Sequence, residues 1–143
     1  MQFVKGFVLL SAFILCGCAS YQIDSGHGHM PYLEAGRPVY VAWASGTWLG
    51  ENKALQKAFV QAFSSHTKKA LFGRRPLSLD EAFALAQYLG KGYLVYPQII
   101  KWEDNNTPWS TIRDKVSAEV IIVDMASMRV MSKHTLNGTG SMW

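Results

Sequence analysis

Residues 77–102 read LSLDEAFALAQYLGKGYLVYPQIIKW, and their pattern changes from that of a helix to that of a strand. Ser78 followed by Glu81 three positions later forms a capping box, which typically starts a helix. Residues 93–102 are rich in β-branched and aromatic side chains, which favours a strand. Because Pro97 has no N–H to donate to a ladder, we expect that strand to lie at a sheet edge or to be bulged at the proline.

The flanking segments predict one more helix and several more strands. Alternating apolar residues predict a strand at 37–44, and apolar residues at helical spacing predict a helix at 52–71 that ends before a short strand near residue 74. Residues 116–124 and 129–136 predict a hairpin around Met125–Met128. This order predicts an α+β domain, with two helices packed on one face of a mixed four- to five-stranded sheet closed by the C-terminal hairpin.

Two histidines lie in these elements. The apolar stripe of the first helix consists of Leu55, Phe59, Ala62, Phe63, His66 and Ala70. We therefore expect His66 at the edge of the core. His134 lies in the last strand, and we expect it to be exposed.

The N-terminal segment has the three parts of a secretory signal: Lys5, an apolar run at 6–15, and small residues before Cys18. A membrane-spanning helix needs roughly 20 apolar residues, so this run is too short to be one. Leu15-Cys16-Gly17-Cys18 resembles the lipobox of bacterial lipoproteins, which implies cleavage before Cys18 and lipid on its thiol. The alternative is an ordinary signal peptide with two incidental cysteines.

The predicted organisation is a signal peptide at 1–17, a lipidated tether at 18–36 and a single α+β domain at 37–143. An apolar fraction of 49% supports a packed core, and 17% charged residues argue against disorder. Because the basic residues are mostly scattered, we expect no nucleic-acid partner, and the mild positive charge suits anionic lipid or a cell-wall polymer. By resemblance to the sorting rules of Gram-negative lipoproteins, Ala19 implies the outer membrane, with the domain facing the periplasm.

A family resemblance rests on residues 92–104 (GYLVYPQIIKWED), the following Trp-Ser pair and the VDMAS turn of the hairpin. Together they resemble a family of small proteobacterial lipoproteins described only as a domain of unknown function. The likeness covers about residues 38–140 and the lipobox. The wider pattern is similar to the N-terminal domain of TolB and to outer-membrane lipoproteins that activate peptidoglycan synthases or assemble curli. Chains of the first family continue into a C-terminal helix, so its pattern implies that this chain, ending at Trp143, is truncated or divergent.

The candidate binding residues are concentrated at one loop, after the strand at 93–102. Trp102, Glu103, Asp104 and Trp109 combine flat apolar rings with acids. Tryptophans beside a loop can anchor a partner protein or stack on sugar rings. The alternative is that both rings are buried and only brace the loop.

No motif for catalysis or for a cofactor is present: there is no G-x-S-x-G, P-loop or H-E-x-x-H. His27 and His29 provide only two ligands, too few for a metal site without a third. We therefore expect a non-enzymatic outer-membrane lipoprotein, without cofactor or metal, that serves as a protein-binding or accessory module in the cell envelope. The alternative is a module that binds glycan or peptidoglycan through Trp102 and Trp109.

Overall fold

The computed structural model describes residues 20–24 (backbone only), 32–67, 69–90, 92–103 and 114–139. The strands are β1 (Ser20–Asp24), β2 (Val39–Ala44), β3 (Ala70–Leu77), β4 (Tyr93–Glu103), β5 (Lys115–Asp124) and β6 (Arg129–Thr139). The helices are α1 (Leu49–Ser64) and α2 (Leu79–Ala86), with a short 3-10 helix at Gln87–Leu89. The predicted α+β class is confirmed, with two helices on a mixed sheet that ends in the β5–β6 hairpin.

The strands form one sheet in the order β1-β6-β5-β4-β2-β3. β2 is parallel to both β3 and β4, and the remaining pairs are antiparallel. β1 adds a sixth strand and lies inside the segment 18–36, which the sequence predicted as a tether. Its residues pair with Thr135–Thr139, because the last strand of the hairpin would otherwise leave a row of backbone N–H and C=O groups unpaired.

The two helices lie on opposite faces of the sheet, so their predicted placement on one face is wrong. α1 packs on the face that carries Val39 and Val41, and α2 packs on the face that carries Tyr40 and Ala42. The reason is topological. β3 and β4 flank β2 on opposite sides, so the crossovers β2-α1-β3 and β3-α2-β4 run in opposite directions across the sheet. Since both crossovers are right-handed by the general rule, their helices fall on different faces.

α1 begins and ends earlier than predicted. It covers Leu49–Ser64 rather than 52–71, and it ends in a turn in which the N–H groups of His66 and Thr67 both donate to Phe63 O, at 2.9 and 2.8 Å. Beyond that turn, Ala70–Phe72 pairs with β2 instead of continuing the helix. Within the described part of the chain, no helix is both long and apolar enough to cross a membrane.

The predicted capping box starts α2. Ser78 Oγ accepts a hydrogen bond from Glu81 N at 3.2 Å, and Ser78 N donates to Glu81 Oε2 at 2.8 Å. The bond from the Ser78 backbone is the main reason that the pKa of the Glu81 carboxyl lies below its usual value. The local sequence is therefore sufficient to set the start of this helix.

A clasp around Arg37 fixes the entry to β2. Its guanidinium donates to Tyr93 OH at 2.9 Å and to Asp124 Oδ1 at 2.5 Å. The hydrogen bond from Arg37 is the largest cause of the lowered pKa of Asp124. The clasp thus ties the segment before β2 to the start of β4 and the end of β5.

The two histidines are placed the other way round from the prediction. His66 is exposed in the turn after α1, whereas His134 on β6 is only 5% exposed. His134 pairs with Val120, which lies on the α1 face of the sheet. Neither of its ring nitrogens has a hydrogen-bond partner within the described residues. The sequence pattern failed here because alternation predicts two faces for a strand but does not say which face is covered.

Candidate interaction surfaces

α1 is attached to the sheet by two buried amide side chains. Asn52 Nδ2 donates to Ala44 O at 3.2 Å, while its Oδ1 accepts from Ile99 N at 2.7 Å. One turn later, Gln56 Nε2 donates to Val41 O at 3.0 Å and to Gly73 O at 2.9 Å. The two amides therefore connect α1 to β2, β3 and β4. They determine where the grooves on the two flanks of the helix lie.

The hydrophobic pattern did not reveal these amides. Asn52 and Gln56 are the buried residues of α1, whereas Ala62, which the sequence placed on the inward stripe, is exposed. The inward side continues through Phe59 and Phe63, at helical spacing from Gln56. A stripe of this spacing that included amides could have been found in the sequence, but a period counted on apolar residues alone omits them.

A bulge in β4 places the Trp102 side chain on the face of the sheet that α1 covers. β4 lies between β2 and β5, so the expectation of an edge strand at Pro97 is wrong, and the register shift falls two residues later, between Ile99 and Lys101. An extra residue reverses the alternation of side chains. Trp102 therefore pairs with Val116 on the α1 face, on which Ile99 also lies. The bond from Ile99 N to Asn52 supports the backbone at this bulge.

The first groove, named here the apolar groove, lies between α1 and the strands β4, β5 and β6. Its volume is about 480 Å³, and Trp102 at its rim is 41% exposed. It is lined by Glu51, Ala54, Leu55, Ile99, Trp102, Val116, Ala118, Leu136, Asn137 and Gly138. Most of these side chains are apolar, so the groove is suited to hold an apolar segment of a partner.

The structure describes part of the predicted binding loop. Trp102 lines the apolar groove, and Glu103 at the end of β4 forms an ion pair with Lys101 that lowers the pKa of its carboxyl. Asp104 and Trp109 lie outside the described residues, as does Cys18. Within the described ranges, His, Cys, Asp and Glu do not gather in groups of three or more that could hold a metal.

The second groove, named here the basic groove, lies on the other flank of α1, beside the edge strand β3. Its volume is about 740 Å³. It is lined by Trp43, Gly50, Lys53, Ala54, Gln56, Lys57, Val60, Phe72, Gly73 and Arg74. The sequence pattern did not reveal it because the groove forms only where α1, which contributes six of these residues, meets Trp43 of β2 and three residues of β3. The one local signal was the pair Lys53 and Lys57, four residues apart on a helix.

A family model identifies the chain. Residues 32–140 match the family described as Domain of unknown function (DUF4823). The chain belongs to this family. The resemblance to an uncharacterised family, inferred from residues 92–104 and the hairpin turn, is thereby confirmed. No curated protein matches the chain.

Two solved structures of PelC from Paraburkholderia phytofirmans, both dodecamers, share the fold. One, of a point variant, has a TM-score of 0.63, with 86% of this chain and 83% of that chain covered. The other has a TM-score of 0.64, with 86% and 82% covered. Sequence identity is 13% in both, so the likeness concerns the fold alone. These structural neighbours are PelC and not TolB, which corrects the architectural resemblance suggested by the sequence.

Proposed function

We propose that this protein is a non-enzymatic lipoprotein of the outer membrane, anchored through Cys18, whose domain faces the periplasm and binds another protein. The observation that carries the proposal is the apolar groove, with the half-exposed ring of Trp102 at its rim. A half-exposed tryptophan at the edge of an apolar depression is a typical anchor of a protein interface.

The first partner to test is a second copy of this chain. Proteins of the same fold, the PelC structures, are dodecamers. In support of an apolar partner surface, the polar side chains among the groove residues are only those of Glu51 and Asn137. A sugar carries many hydroxyls that need hydrogen-bond partners, so this lining favours a protein segment over the glycan alternative.

Photocrosslinking in cells tests the groove directly. With p-benzoylphenylalanine in place of Trp102, we expect a covalent adduct whose mass shows whether the partner is a second copy or another envelope protein. The matched control carries the same photocrosslinker in place of Tyr88, an 89% exposed aromatic residue on the 3-10 helix after α2. Identical adducts at both positions, or none at Trp102, would contradict the proposal.

The substitution Trp102→Ala distinguishes a role of the ring in binding a partner from a role in stabilising the fold. Because the ring is 41% exposed, its loss should lower the free energy of unfolding by less than the about 3–5 kcal/mol typical of a buried tryptophan. In a pull-down, the variant should no longer retain the partner that crosslinking from position 102 identifies. The same variant tests the glycan alternative, since wild-type chain that sediments with purified peptidoglycan while Trp102→Ala does not would favour a sugar ligand. A large stability loss without a binding defect would leave the ring with a purely structural role.

The anchor has its own test. Cells that express the wild-type chain and grow with a palmitate analogue should label it, and Cys18→Ser should remove the label because the acceptor thiol is gone. In a density gradient of separated membranes, the wild-type chain should sediment with the outer membrane, as Ala19 implies. Equal label on both proteins would exclude lipidation at Cys18, and recovery with the inner membrane would exclude the sorting rule.

A further inference from the structure

The basic groove collects positive charge that no ion pair neutralises within the part of the chain that the structure describes. Lys53, Lys57 and Arg74 line it, and no carboxylate is among its lining residues. The four ion pairs of the described residues use Arg37, Arg75, Lys101 and Lys133, and none of them uses a cation of the groove. Three exposed cations facing one concave surface raise the local concentration of anions there.

Flat aromatic surfaces accompany these charges. The Trp43 indole donates from Nε1 to Leu49 O at 3.0 Å, and Lys53 Nζ lies 4.8 Å from the centre of a Trp43 ring. Phe72, on β3, is 55% exposed. The groove therefore presents a held indole ring and an open phenyl ring next to ammonium and guanidinium groups. Such a surface suits a ligand with both a flat apolar face and negative charge.

Gly73 lies between Phe72 and Arg74 in the wall of the basic groove. A Cβ at this position would lie 2.9 Å from Tyr40 OH and 3.1 Å from Trp43 N. Gln56 holds the Gly73 carbonyl from the helix side at 2.9 Å. Glycine at position 73 therefore allows β3 to lie close to β2 at this wall of the groove, because a side chain there would collide with Tyr40 and the β2 backbone.

The shape of β3 argues against a peptide that adds to the sheet as a strand. Between Val41 and Trp43 of β2, the partner residues on β3 advance from Phe72 to Pro76, so β3 is bulged there. A bulge and a proline both interrupt the row of backbone groups that strand addition requires. Nucleic acid is disfavoured by size, since single-stranded sites commonly contact about 4–16 nucleotides along a charged track.

We propose that the basic groove binds an acidic glycan, a sugar polymer whose carboxylates pair with Lys53, Lys57 and Arg74 while a sugar ring stacks on Phe72. This site is separate from the apolar groove and does not depend on the proposed partner protein or on the lipid anchor. It gives the domain two binding surfaces, one on each flank of α1.

Titration calorimetry of the purified full chain in detergent tests the site, with polygalacturonate as the acidic glycan and dextran as the neutral one. We expect binding of polygalacturonate that weakens with added salt, and no binding of dextran. Lys57→Gln and Arg74→Gln should each weaken binding about tenfold, roughly the loss of one charge-assisted hydrogen bond. Lys133→Gln, which removes a paired lysine on β6, is the matched control and should bind as the wild type does.

The aromatic contribution is tested by Phe72→Ser, which should weaken polygalacturonate binding while the thermal melt stays near that of the wild type, because the ring is more than half exposed. Absent polygalacturonate binding, or binding unchanged by Lys57→Gln and Arg74→Gln, would overturn the proposal. So would equal or tighter binding of polyglutamate, of oligo-dT, or of phosphatidylglycerol vesicles. Those three outcomes would identify an acidic peptide, a nucleic acid or a lipid surface as the ligand instead.

Discussion

Asn52→Ala is expected to lower the free energy of unfolding by about 2–6 kcal/mol, because it leaves two buried backbone groups without partners, each at about 1–3 kcal/mol. Those groups are the carbonyl of Ala44 and the N–H of Ile99. The Asn52 side chain is 1% exposed, so water cannot easily replace the lost bonds. Chemical denaturation of the full chain in detergent would measure the change.

The control for this experiment is Gln61→Ala on the same helix. Gln61 is exposed, so its replacement should change stability by less than about 0.5 kcal/mol. Since Asn52 also supports the β4 bulge, we expect Asn52→Ala to reduce crosslinking from position 102 even under conditions where the chain stays folded. Equal denaturation midpoints for the Asn52 and Gln61 variants would show that the buried amide does not hold α1 to the sheet.

Gly92→Ala is expected to be the second most damaging change, with a loss of about 1–3 kcal/mol, the usual range for overpacking. A Cβ at this position would lie 2.7 Å from Pro38 O, which is a backbone atom and cannot move aside alone. That same carbonyl accepts from Tyr93 N at 2.9 Å, so the clash falls where the β2–β4 ladder begins. The added methyl group should therefore push apart the two central parallel strands.

Gly36→Ala is the matched control, because a Cβ at residue 36 meets no heavy atom within 4 Å. Thermal melts of the two variants should differ clearly, with the Gly36 variant close to the wild type. If both variants melted together with the wild type, the close approach of β2 and β4 at Pro38 would not limit stability.

The local sequence pattern was sufficient to predict those helices and strands that are set by interactions between residues close in sequence. The capping box at Ser78 gave the start of α2, and alternation gave β2 and both arms of the hairpin. The turn Met125–Met128 also followed from the sequence, and Met128 adopts the positive φ of 58° that such a tight turn uses. In each case, the interactions that set the start of the helix, the strand or the turn join residues only a few positions apart.

The candidate surfaces were predicted less completely. The sequence named Trp102 as a candidate binding residue of a loop, and the structure places it at the rim of the apolar groove between α1 and the strands β4, β5 and β6. The basic groove was missed. Its cations and rings come from β2, α1 and β3, and nothing in the spacing of Trp43, Lys53 and Arg74 shows that they meet.

The amino-acid sequence alone determined the α+β class, the start of α2 and the hairpin. These features depend on hydrogen bonds and side-chain alternation within short segments. The faces occupied by the helices, the burial of His134 and the direction of Trp102 were decided only in the assembled sheet. β3 and β4 had to take opposite sides of β2 before handedness could place α1 and α2 on different faces. The β4 bulge then reversed the alternation of side chains, and this turned Trp102 towards α1.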